Sequence, residues 1–541
     1  MQRATTNNKS VRARRLPPTV ATSGAAARWA PLIALLAGVV NVLAFAPLNI
    51  WPLQILTLAW LMRQVARNGT ASDWLRQARN GWLYGFGWAA CGVHWLYISM
   101  HDFGGMAGWM AALAVGVLAA YLGLFAAAAA GLASWLRQRW QSSQATLLLL
   151  ILPALWTLTE WLRGWLFTGF PWLTSGYAHN IGPLAGFAPL LGVYGVGWIA
   201  ALMAGCLALL SLRSDTESPA PLMRALPAVL LLLLAGAGVT LHAMDWTKAV
   251  GQPISVRLLQ GNIPQEAKFS NEALLSSLTM YEGMIKSAPA DLIATPETAV
   301  PLLPEQLPPD YLARLIHFTQ SSGSHLALGI PISDGTGQYA NSMVGISADP
   351  ASATHPYRYD KHHLVPFGEF IPFGFRWFVD LMHIPLGDMT RGHPLQAPWA
   401  VKQQWVMPNI CYEDLFGEEI AAQLGGAYFS GQPEASILLN MSNIAWFGNS
   451  IALPQHLQIS QMRALETGRT MLRATNTGTT AIIGPKGQVL SALQPYTRDQ
   501  LTASVQGYQG QTPYILLGNK LMLALTLAAL ALAWLLRRRQ S

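Results

Sequence analysis

Residues 404–413, QWVMPNICYE, pass from a short apolar run directly into a cysteine, a tyrosine and a glutamate. An apolar run of this length is typical of a buried β-strand, and Cys411 stands where that strand is expected to end. The chain has three cysteines, and the other two, Cys91 and Cys206, lie inside long hydrophobic stretches. The region around Cys411 is therefore the first candidate for a reactive site.

The same strand-like pattern continues on both sides of this stretch. Apolar runs at residues 255–262, 291–297, 325–332, 342–347, 436–443 and 480–490 also predict strands. Helical patterns lie among them at residues 271–288, 309–323 and 453–469. Strands that alternate with helices favour a layered α/β domain in which helices cover the sheets. We predict one such domain over residues 246–511.

Long apolar segments flank this domain. A membrane-spanning helix needs about 20 residues, and seven candidates precede the domain, at residues 29–48, 51–66, 81–100, 107–135, 146–166, 184–212 and 223–244. An eighth candidate lies at residues 514–536. The predicted organisation is a basic tail (1–28), seven transmembrane helices (29–245), the α/β domain (246–511) and an eighth helix with a basic end (512–541). Only 11% of the residues are charged, against about 25% in ordinary soluble proteins.

The basic residues predict the orientation in the membrane. They occur in the N-terminal tail, in the second, fourth and sixth connections and at the C-terminus, whereas the connections PLNI (47–50), HDFGG (101–105) and LFTGFPWLTSGYAHN (166–180) contain none. Cytoplasmic connections carry the excess of lysine and arginine, so we expect both termini in the cytoplasm and the α/β domain outside it. The net charge of +8 follows this distribution rather than one basic face, so nucleic-acid binding is not predicted.

Several predicted strands end on residues that can carry chemistry. DLIATPE (291–297) ends on Glu297, and YRYDKHHLVPFGEF (357–370) supplies Lys361 and Glu369. Polar residues at strand ends commonly line the crevice of an α/β domain. Together with Cys411, a carboxylate and an ammonium could perform acyl transfer, because the carboxylate takes the thiol proton and the ammonium stabilises the oxyanion.

Each of these residues also has a structural interpretation. A lone cysteine at a strand end is usually a small core side chain, Glu297 could cap a turn, and Lys361 could be a solvated surface charge. His362 and His363 suggest a metal, but adjacent strand residues point to opposite faces, which favours a structural role for both. The cysteines lack the spacing of a zinc site or a disulfide framework. Spacing alone leaves the catalytic interpretation open.

Motifs that run in order along the domain add information that spacing cannot. They are QGNIPQEAKF (260–269), PETA (296–299), YDKHHLVPFGEFIP (359–372), ICYE (410–413), SNIAWFG (442–448), QMRALETGR (461–469) and RATNTGTTAIIGPKG (473–487), with EWLRGWLFTGFPWL (160–173) in the membrane part. This set resembles the apolipoprotein N-acyltransferases, bacterial inner-membrane enzymes with a domain of the carbon–nitrogen hydrolase (nitrilase) superfamily. The resemblance implies a polytopic α-helical membrane protein with eight transmembrane helices and an inserted α/β domain, a nitrilase-like αββα sandwich.

The resemblance also implies roles for individual residues. Glu297 would be the general base, Lys361 the oxyanion stabiliser and Cys411 the nucleophile. Further residues match an additional essential glutamate and the two positions that flank and support the nucleophile, namely Glu369, Tyr412 and Glu413. No metal or dissociable cofactor is implied.

The implied reaction is a two-step, ping-pong acyl transfer. A phospholipid would donate a fatty acyl chain to the cysteine as a thioester, and the N-terminal α-amine of a diacylglyceryl-cysteine apolipoprotein would accept it. The implied location is the bacterial cell inner membrane, among membrane lipids, with multiple crossings and a periplasmic catalytic domain. We expect an apolar loop around residues 370–390 to act as a lid over the thioester.

Three positions depart from the family pattern. Thr295 stands before Pro-Glu where many members have tryptophan, and Ile444 replaces a usual aspartate. Phe269 stands where tryptophan is frequent and keeps an aromatic surface for an acyl chain, so it is a predicted substrate-binding residue. None of the three removes Glu297, Lys361 or Cys411.

Two other functions fit parts of the sequence. A membrane-tethered amidase would use the same three residues with water as the acceptor and small amides as substrates. A transporter or receptor would need ionisable residues inside the membrane, and the candidates are few, chiefly His94, Glu160 and Arg163. A labelled thioester on Cys411 after incubation with phospholipid would favour the acyltransferase over both.

Overall fold

The computed structural model of the protein describes residues 24–67, 73–212, 221–265, 271–333, 335, 337–349, 355–376 and 388–537. Phe269 and residues 377–387 of the expected lid lie outside these ranges. We number the longer helices α1 to α12: Gly24–Asn41, Pro52–Arg67, Asp73–Gly92, Gly108–Trp140, Gln144–Arg163, Ala188–Ser211, Pro221–Ala243, Asn271–Lys286, Tyr311–Ser322, Gly417–Ser430, Ala452–Thr467 and Lys520–Leu535.

A helix is present at each of the eight apolar segments, although the helices differ in length and polarity. Four are long and apolar enough to cross a membrane, namely Gly108–Trp140, Gln144–Arg163, Pro183–Ser211 (α6 with the turn before it) and Ala225–Ala243 within α7. Shorter apolar helices occur at Arg28–Ala44 and Lys520–Leu535. The chain therefore has several apolar helices, and a count of eight crossings stays a prediction.

The third helix is placed differently from its prediction. It was expected at residues 81–100, but α3 ends at Gly92 and is followed by a short helix at Leu96–Ile98. The Trp95 side chain in this broken segment is buried against Trp172 and Phe447, with ring centroids 4.8 and 4.3 Å away. These apolar residues are covered by protein, and hydrophobicity alone cannot distinguish that environment from lipid.

Twelve strands in the described residues form two six-stranded sheets. The strands β1 to β12 are Lys248–Gln260, Leu292–Ala294, His325–Ser333, Tyr339–Ile346, Tyr357–Asp360, Trp399–Val401, Gln404–Ile410, Ile437–Ser442, Thr470–Thr475, Ala481–Ile483, Val489–Ala492 and Asp499–Gln509. The first sheet has the order β12-β1-β2-β3-β4-β5 and the second β11-β10-β9-β8-β7-β6. β1, β2 and β3 are parallel, as are β7, β8 and β9. Parallel neighbours place their carboxyl ends at the same edge of each sheet.

The two sheets pack face to face between layers of helices. One buried apolar cluster joins side chains of both sheets, including Val256 and Leu258 from β1 and Leu439 from β8. Separate clusters join the first sheet to α8 and α9 and the second sheet to α10 and α11. The domain is thus an αββα sandwich, as predicted.

The helix layer of the second sheet rests directly on the membrane helices. Tyr412, Phe416, Ile459 and Met462 belong to the same buried apolar cluster as residues of α2, α5 and α6. A polar contact reinforces this interface at a kink in α6, where the Val193 N–H donates to the buried carboxylate of Glu466 at 2.7 Å. The α/β domain is therefore packed onto the membrane part rather than attached only by its two ends.

Candidate active site

Glu297, Lys361 and Cys411 each follow a strand, and the fold brings the three strand ends together. Glu297 comes after β2 and Lys361 directly after β5 in the first sheet, whereas Cys411 directly follows β7 in the second sheet. The Lys361 Nζ lies 3.2 Å from Glu297 Oε1. The pKa of the Cys411 thiol is affected by both residues and by a hydrogen bond to Glu297. The site lies between the two sheets.

The lysine lies between two carboxylates. Its Nζ donates to Glu369 Oε1 at 2.8 Å as well as to Glu297. Asn341 bridges the same pair, because its Nδ2 donates to Glu297 Oε1 at 2.8 Å and to Glu369 Oε1 at 3.1 Å. The second oxygen of Glu297 accepts from the Asn443 N–H at 2.7 Å. These contacts fix the carboxylate of Glu297 in a single orientation.

The charges at the site keep the lysine protonated and the thiol neutral. Burial alone would lower the pKa of Lys361, but the carboxylates of Glu297 and Glu369 more than offset it and hold the pKa above its usual range. Burial, followed by the charge of Glu297, raises the pKa of the Cys411 thiol above its usual range despite the opposing effect of Lys361. A thiol in this state needs a base at the moment of attack, and Glu297 is the carboxylate hydrogen-bonded to it.

The backbone presents Cys411 at a sharp turn. Its φ of +54° lies in the left-handed region, which costs a non-glycine residue about 1–2 kcal/mol. The residue opens a short 3₁₀ helix, Cys411–Leu415. Cys411 is partly exposed, whereas Lys361 is fully buried. The turn thus places a partly exposed cysteine residue beside a buried cation.

Glu413 and Tyr412 hold this turn in place through hydrogen bonds. The Glu413 carboxylate accepts from the N–H groups of Ile410 and His362, each at 2.6 Å, and from the Tyr359 hydroxyl at 2.9 Å. The Tyr412 hydroxyl donates to the Gly169 carbonyl of the membrane part at 2.9 Å. Both side chains hold the nucleophile turn in place, and neither is hydrogen-bonded to Glu297 or Lys361 in the described contacts.

Two asparagines of this site were missed by sequence reasoning. Asn341 lies within β4 and Asn443 directly follows β8. Asn443 lies in the quoted motif SNIAWFG, and its Nδ2 also donates to Gln265 Oε1 at 3.1 Å. A polar residue at a buried strand end was the available signal, but an asparagine there is equally typical of a turn.

The remaining predicted positions are Thr295, Ile444, His362 and His363, and each contacts other parts of the protein. Thr295 is buried and its hydroxyl accepts from the Gly329 N–H at 3.0 Å. Ile444 is buried and packs against Gly478, where an added Cβ would lie 2.4 Å from Ile444 Cδ1. His362 Nδ1 lies 2.8 Å from the Gly392 carbonyl, and His363 Nδ1 lies 2.8 Å from Glu419 Oε1. The two histidines therefore contact different partners.

Comparisons with known proteins identify two family profiles and several relatives to which the chain is similar. The carbon-nitrogen hydrolase family profile matches residues 255–514, and the profile of the apolipoprotein N-acyltransferase N-terminal domain matches residues 37–206. A curated apolipoprotein N-acyltransferase of Ralstonia nicotianae is 48% identical over 95% of this chain and 94% of its own length. One of Nitrosomonas europaea is 44% identical over 90% of this chain and 93% of its own length. Among solved structures, an amidase from Nesterenkonia sp. has a TM-score of 0.35 at 17% identity, over 48% of this chain and 92% of its own.

The sandwich and the profile match define residues 255–514 as a carbon-nitrogen hydrolase domain. This domain is joined to apolar helices that match a second, specific profile. The chain belongs to the apolipoprotein N-acyltransferase family.

The raised pKa of Cys411 predicts an unusual pH dependence of alkylation. A raised pKa means less thiolate at any given pH, so iodoacetamide should modify Cys411 more slowly than free N-acetylcysteine near pH 8. The rate should still be rising between about pH 9 and 10, where an ordinary thiol with a pKa of about 8.5 has levelled off. Peptide mass spectrometry of samples quenched at successive times gives the rate. A rate that levels off between about pH 9 and 10, as that of an ordinary thiol does, would contradict the raised pKa of Cys411.

Proposed function

We propose that the protein transfers a fatty acyl chain from a phospholipid to the N-terminal α-amine of diacylglyceryl-cysteine in apolipoproteins, the last step of bacterial lipoprotein maturation. The contact that carries the proposal is the buried Lys361, hydrogen-bonded to Glu297 and Glu369 beside the partly exposed Cys411. The substrates are inferred from membership of the apolipoprotein N-acyltransferase family. The contacts of Lys361 and Glu297 support the Glu-Lys-Cys triad, and a thioester held on Cys411 between the two substrates makes the transfer a ping-pong reaction.

In the first half-reaction Glu297 takes the proton of the Cys411 thiol as Sγ attacks the carbonyl carbon of a phospholipid ester. The carbonyl oxygen becomes an oxyanion, which the Lys361 ammonium stabilises. When the oxyanion collapses, the ester C–O bond breaks and the proton held by Glu297 passes to the leaving alkoxide. The products are a thioester on Cys411 and a lysophospholipid.

In the second half-reaction the α-amine of the lipoprotein attacks the thioester carbonyl. A new C–N bond forms and the C–S bond breaks, while Glu297 removes a proton from the amine and returns it to sulfur. The same lysine stabilises the second oxyanion. The enzyme returns to its starting state with a neutral thiol.

The membrane part reduces the free-energy cost of moving the acyl chains of two lipid substrates to the active site. Moving an acyl chain into water costs about 0.8 kcal/mol per methylene, so a soluble enzyme would meet that cost in both half-reactions. Large apolar side chains are exposed in segments close in sequence to residues that contact the site, among them Phe167, Phe367, Phe373 and Trp446. Acyl chains can approach over this surface without leaving an apolar environment.

We infer eight membrane crossings, with both termini cytoplasmic and the hydrolase domain periplasmic. The three connections without lysine or arginine all contact the hydrolase domain: Asn49 accepts from Gln458 Nε2 at 3.1 Å, Phe103 packs on Trp446, and the Thr168 carbonyl lies 3.1 Å from His363 Nε2. The positive-inside rule places these connections outside the cytoplasm, on the side where the catalytic domain is expected.

Cysteine labelling tests this topology. In a background in which Cys91, Cys206 and Cys411 are all replaced, Asp102→Cys, an exposed position in the third connection, should react with a membrane-impermeant maleimide on intact spheroplasts. Gln144→Cys, exposed at the start of α5, should react only after lysis. The opposite pattern would contradict the orientation.

Replacing Lys361 with alanine is expected to slow thioester formation about 100- to 1,000-fold, the usual effect of losing one oxyanion donor. Phospholipid binding should change by no more than about threefold, because the lysine is buried and contacts the ester only as its charge develops. Single-turnover acylation and equilibrium binding to lipid nanodiscs separate the two effects. The exposed Lys402→Ala is the matched control. Equal losses in binding and acylation would contradict the role of the lysine.

A paired substrate assay distinguishes the proposal from an amidase. The protein in lipid nanodiscs is given a phospholipid with a labelled acyl chain, together with either a diacylglyceryl-cysteine peptide or a series of small amides. We expect labelled N-acyl peptide and no ammonia release. Ammonia release from amides without peptide acylation would favour the amidase.

A further inference from the structure

A buried histidine contacts the backbone carbonyl of the proposed nucleophile. His456 belongs to α11 and is 1% exposed. Its Nε2 lies 3.4 Å from the Cys411 carbonyl oxygen, which is also approached at 3.5 Å by Asn440 Nδ2. Neither side chain takes part in the proton transfers described above.

The surroundings of His456 fix its tautomer. Arg473 Nη2 lies 3.0 Å from His456 Nδ1. A guanidinium has only donors, so Nδ1 must accept and the ring proton must be on Nε2, facing the Cys411 carbonyl. Burial, with the charges of Arg473 and Lys361, also holds the pKa of His456 well below its usual range, so the ring stays neutral.

The ring is held on its other sides as well. Arg473 is fixed by the buried carboxylate of Asp414 at 3.4 Å and by Ser460. The Trp172 indole from the membrane part stacks on the imidazole at 5.8 Å between centroids and an angle of 11°. The imidazole therefore has little freedom to leave the Cys411 carbonyl.

We propose that His456 is a positioning residue that holds the Cys411 carbonyl and thereby orients the next amide, the Tyr412 N–H, toward the oxyanion. In a trans peptide bond the C=O and the N–H point in opposite directions. A donor bound to the Cys411 carbonyl therefore fixes the direction of the Tyr412 N–H, which points away from that donor. The first N–H groups of a helix have no partner inside that helix, and Tyr412 is the second residue of the 3₁₀ helix Cys411–Leu415. The N–H is thus available to act beside Lys361.

Two amide substitutions separate positioning from packing. In His456→Gln the side-chain amide can place an N–H donor near the position of Nε2, whereas in His456→Asn the shorter amide reaches only the position of Nδ1. The acyl donor is p-nitrophenyl butyrate, and the burst of nitrophenolate reports acylation of Cys411. This probe needs no phospholipid. The inference about His456 rests on the proposed thioester chemistry. If the protein shows the burst but transfers no acyl chain from phospholipid, the proposed function is contradicted and the positioning role of His456 is not.

We expect the burst rate of His456→Gln to stay within about threefold of the wild type and that of His456→Asn to fall about 10- to 100-fold, part of the loss seen when an oxyanion donor is removed. Alkylation of Cys411 by iodoacetamide forms no oxyanion, so both variants should alkylate at the wild-type rate. A wild-type burst in His456→Asn, equal losses in both variants, or slowed alkylation with a slowed burst would each overturn the proposal.

Nitrogen-15 NMR of the wild-type protein in lipid bilayers adds a test that requires no variant. The resonances of His456, assigned by their absence in His456→Gln, should report a neutral ring with the proton on Nε2 between about pH 6 and 9, on either side of the ordinary histidine value. A protonated Nδ1, or a cationic ring in this range, would overturn the proposal.

Discussion

Replacing Cys411 with alanine is expected to abolish both thioester formation and N-acyl transfer, leaving no activity above background. The substitution removes the atom that carries the acyl chain between the two half-reactions, and the described residues offer no second thiol near Lys361. The other cysteines lie in helices of the membrane part, Cys91 in α3 and Cys206 in α6. Transfer of a labelled acyl chain from phospholipid to a diacylglyceryl-cysteine peptide measures the loss.

The matched control for this experiment is Cys91→Ala, which removes a partly buried thiol from α3. It should transfer acyl chains at the wild-type rate. Both variants should also bind phospholipid as the wild type does, because Cys411 contributes no charge to the resting site. If Cys411→Ala still produced N-acyl peptide, the thioester mechanism would be wrong even if the substrates were right.

Replacing Glu297 with glutamine is expected to slow thioester formation about 100- to 10,000-fold, the usual contribution of a positioned general base. Glutamine has nearly the same shape, so it can keep the hydrogen bond from the Asn443 N–H, now 2.7 Å from Glu297 Oε2. It cannot take the proton of the thiol. Single-turnover acylation with labelled phospholipid measures the effect, and the exposed Glu305→Gln is the control.

The same variant should change alkylation of Cys411 in the opposite direction. The charge of Glu297 is one of the causes that raise the pKa of the thiol, so its removal increases the thiolate fraction. Iodoacetamide should therefore modify Cys411 at least as fast in Glu297→Gln as in the wild type near pH 8. Because unfolding would also expose the thiol and speed its alkylation, the thermal unfolding midpoint of Glu297→Gln must match that of the wild type for this comparison. Normal acylation in Glu297→Gln would contradict the assigned base.

The sequence predicted the parts of the site that follow uninterrupted apolar runs. Glu297 and Cys411 both stand where such a run ends, at the carboxyl ends of strands that belong to different sheets of the sandwich. It could not predict that Lys361 would lie between Glu297 and Glu369 with Asn341 bridging the two carboxylates. Those contacts depend on how strands of the first sheet are spaced, which no local pattern encodes.

Two of the elements that were missed have identifiable physical reasons. The central strand Thr470–Thr475 contains Arg473, whose charge interrupts the apolar run although the side chain is fully buried against Asp414. The helix Gly417–Ser430 contains two adjacent glycines, Gly425 and Gly426, which lower its helical propensity. In both cases tertiary packing outweighs the local preference.

The helices of the membrane part were located by their apolar character, but their ends were not. Polar residues such as Gln54 and Asn41 are buried in this part and serve contacts with other protein segments. A hydropathy pattern averages over such residues and cannot separate a surface that faces lipid from one that faces the hydrolase domain. The packing of the sandwich on these helices could therefore not be predicted from the sequence.

The central claim is that Cys411 carries the acyl chain as a thioester, and mass spectrometry of the wild-type protein after incubation with phospholipid tests it most directly. We predict a peptide containing Cys411 with the added mass of a fatty acyl group, which neutral hydroxylamine removes and the diacylglyceryl-cysteine peptide discharges. A protein that transfers the acyl chain while Cys411 remains unmodified at every time point would contradict the account.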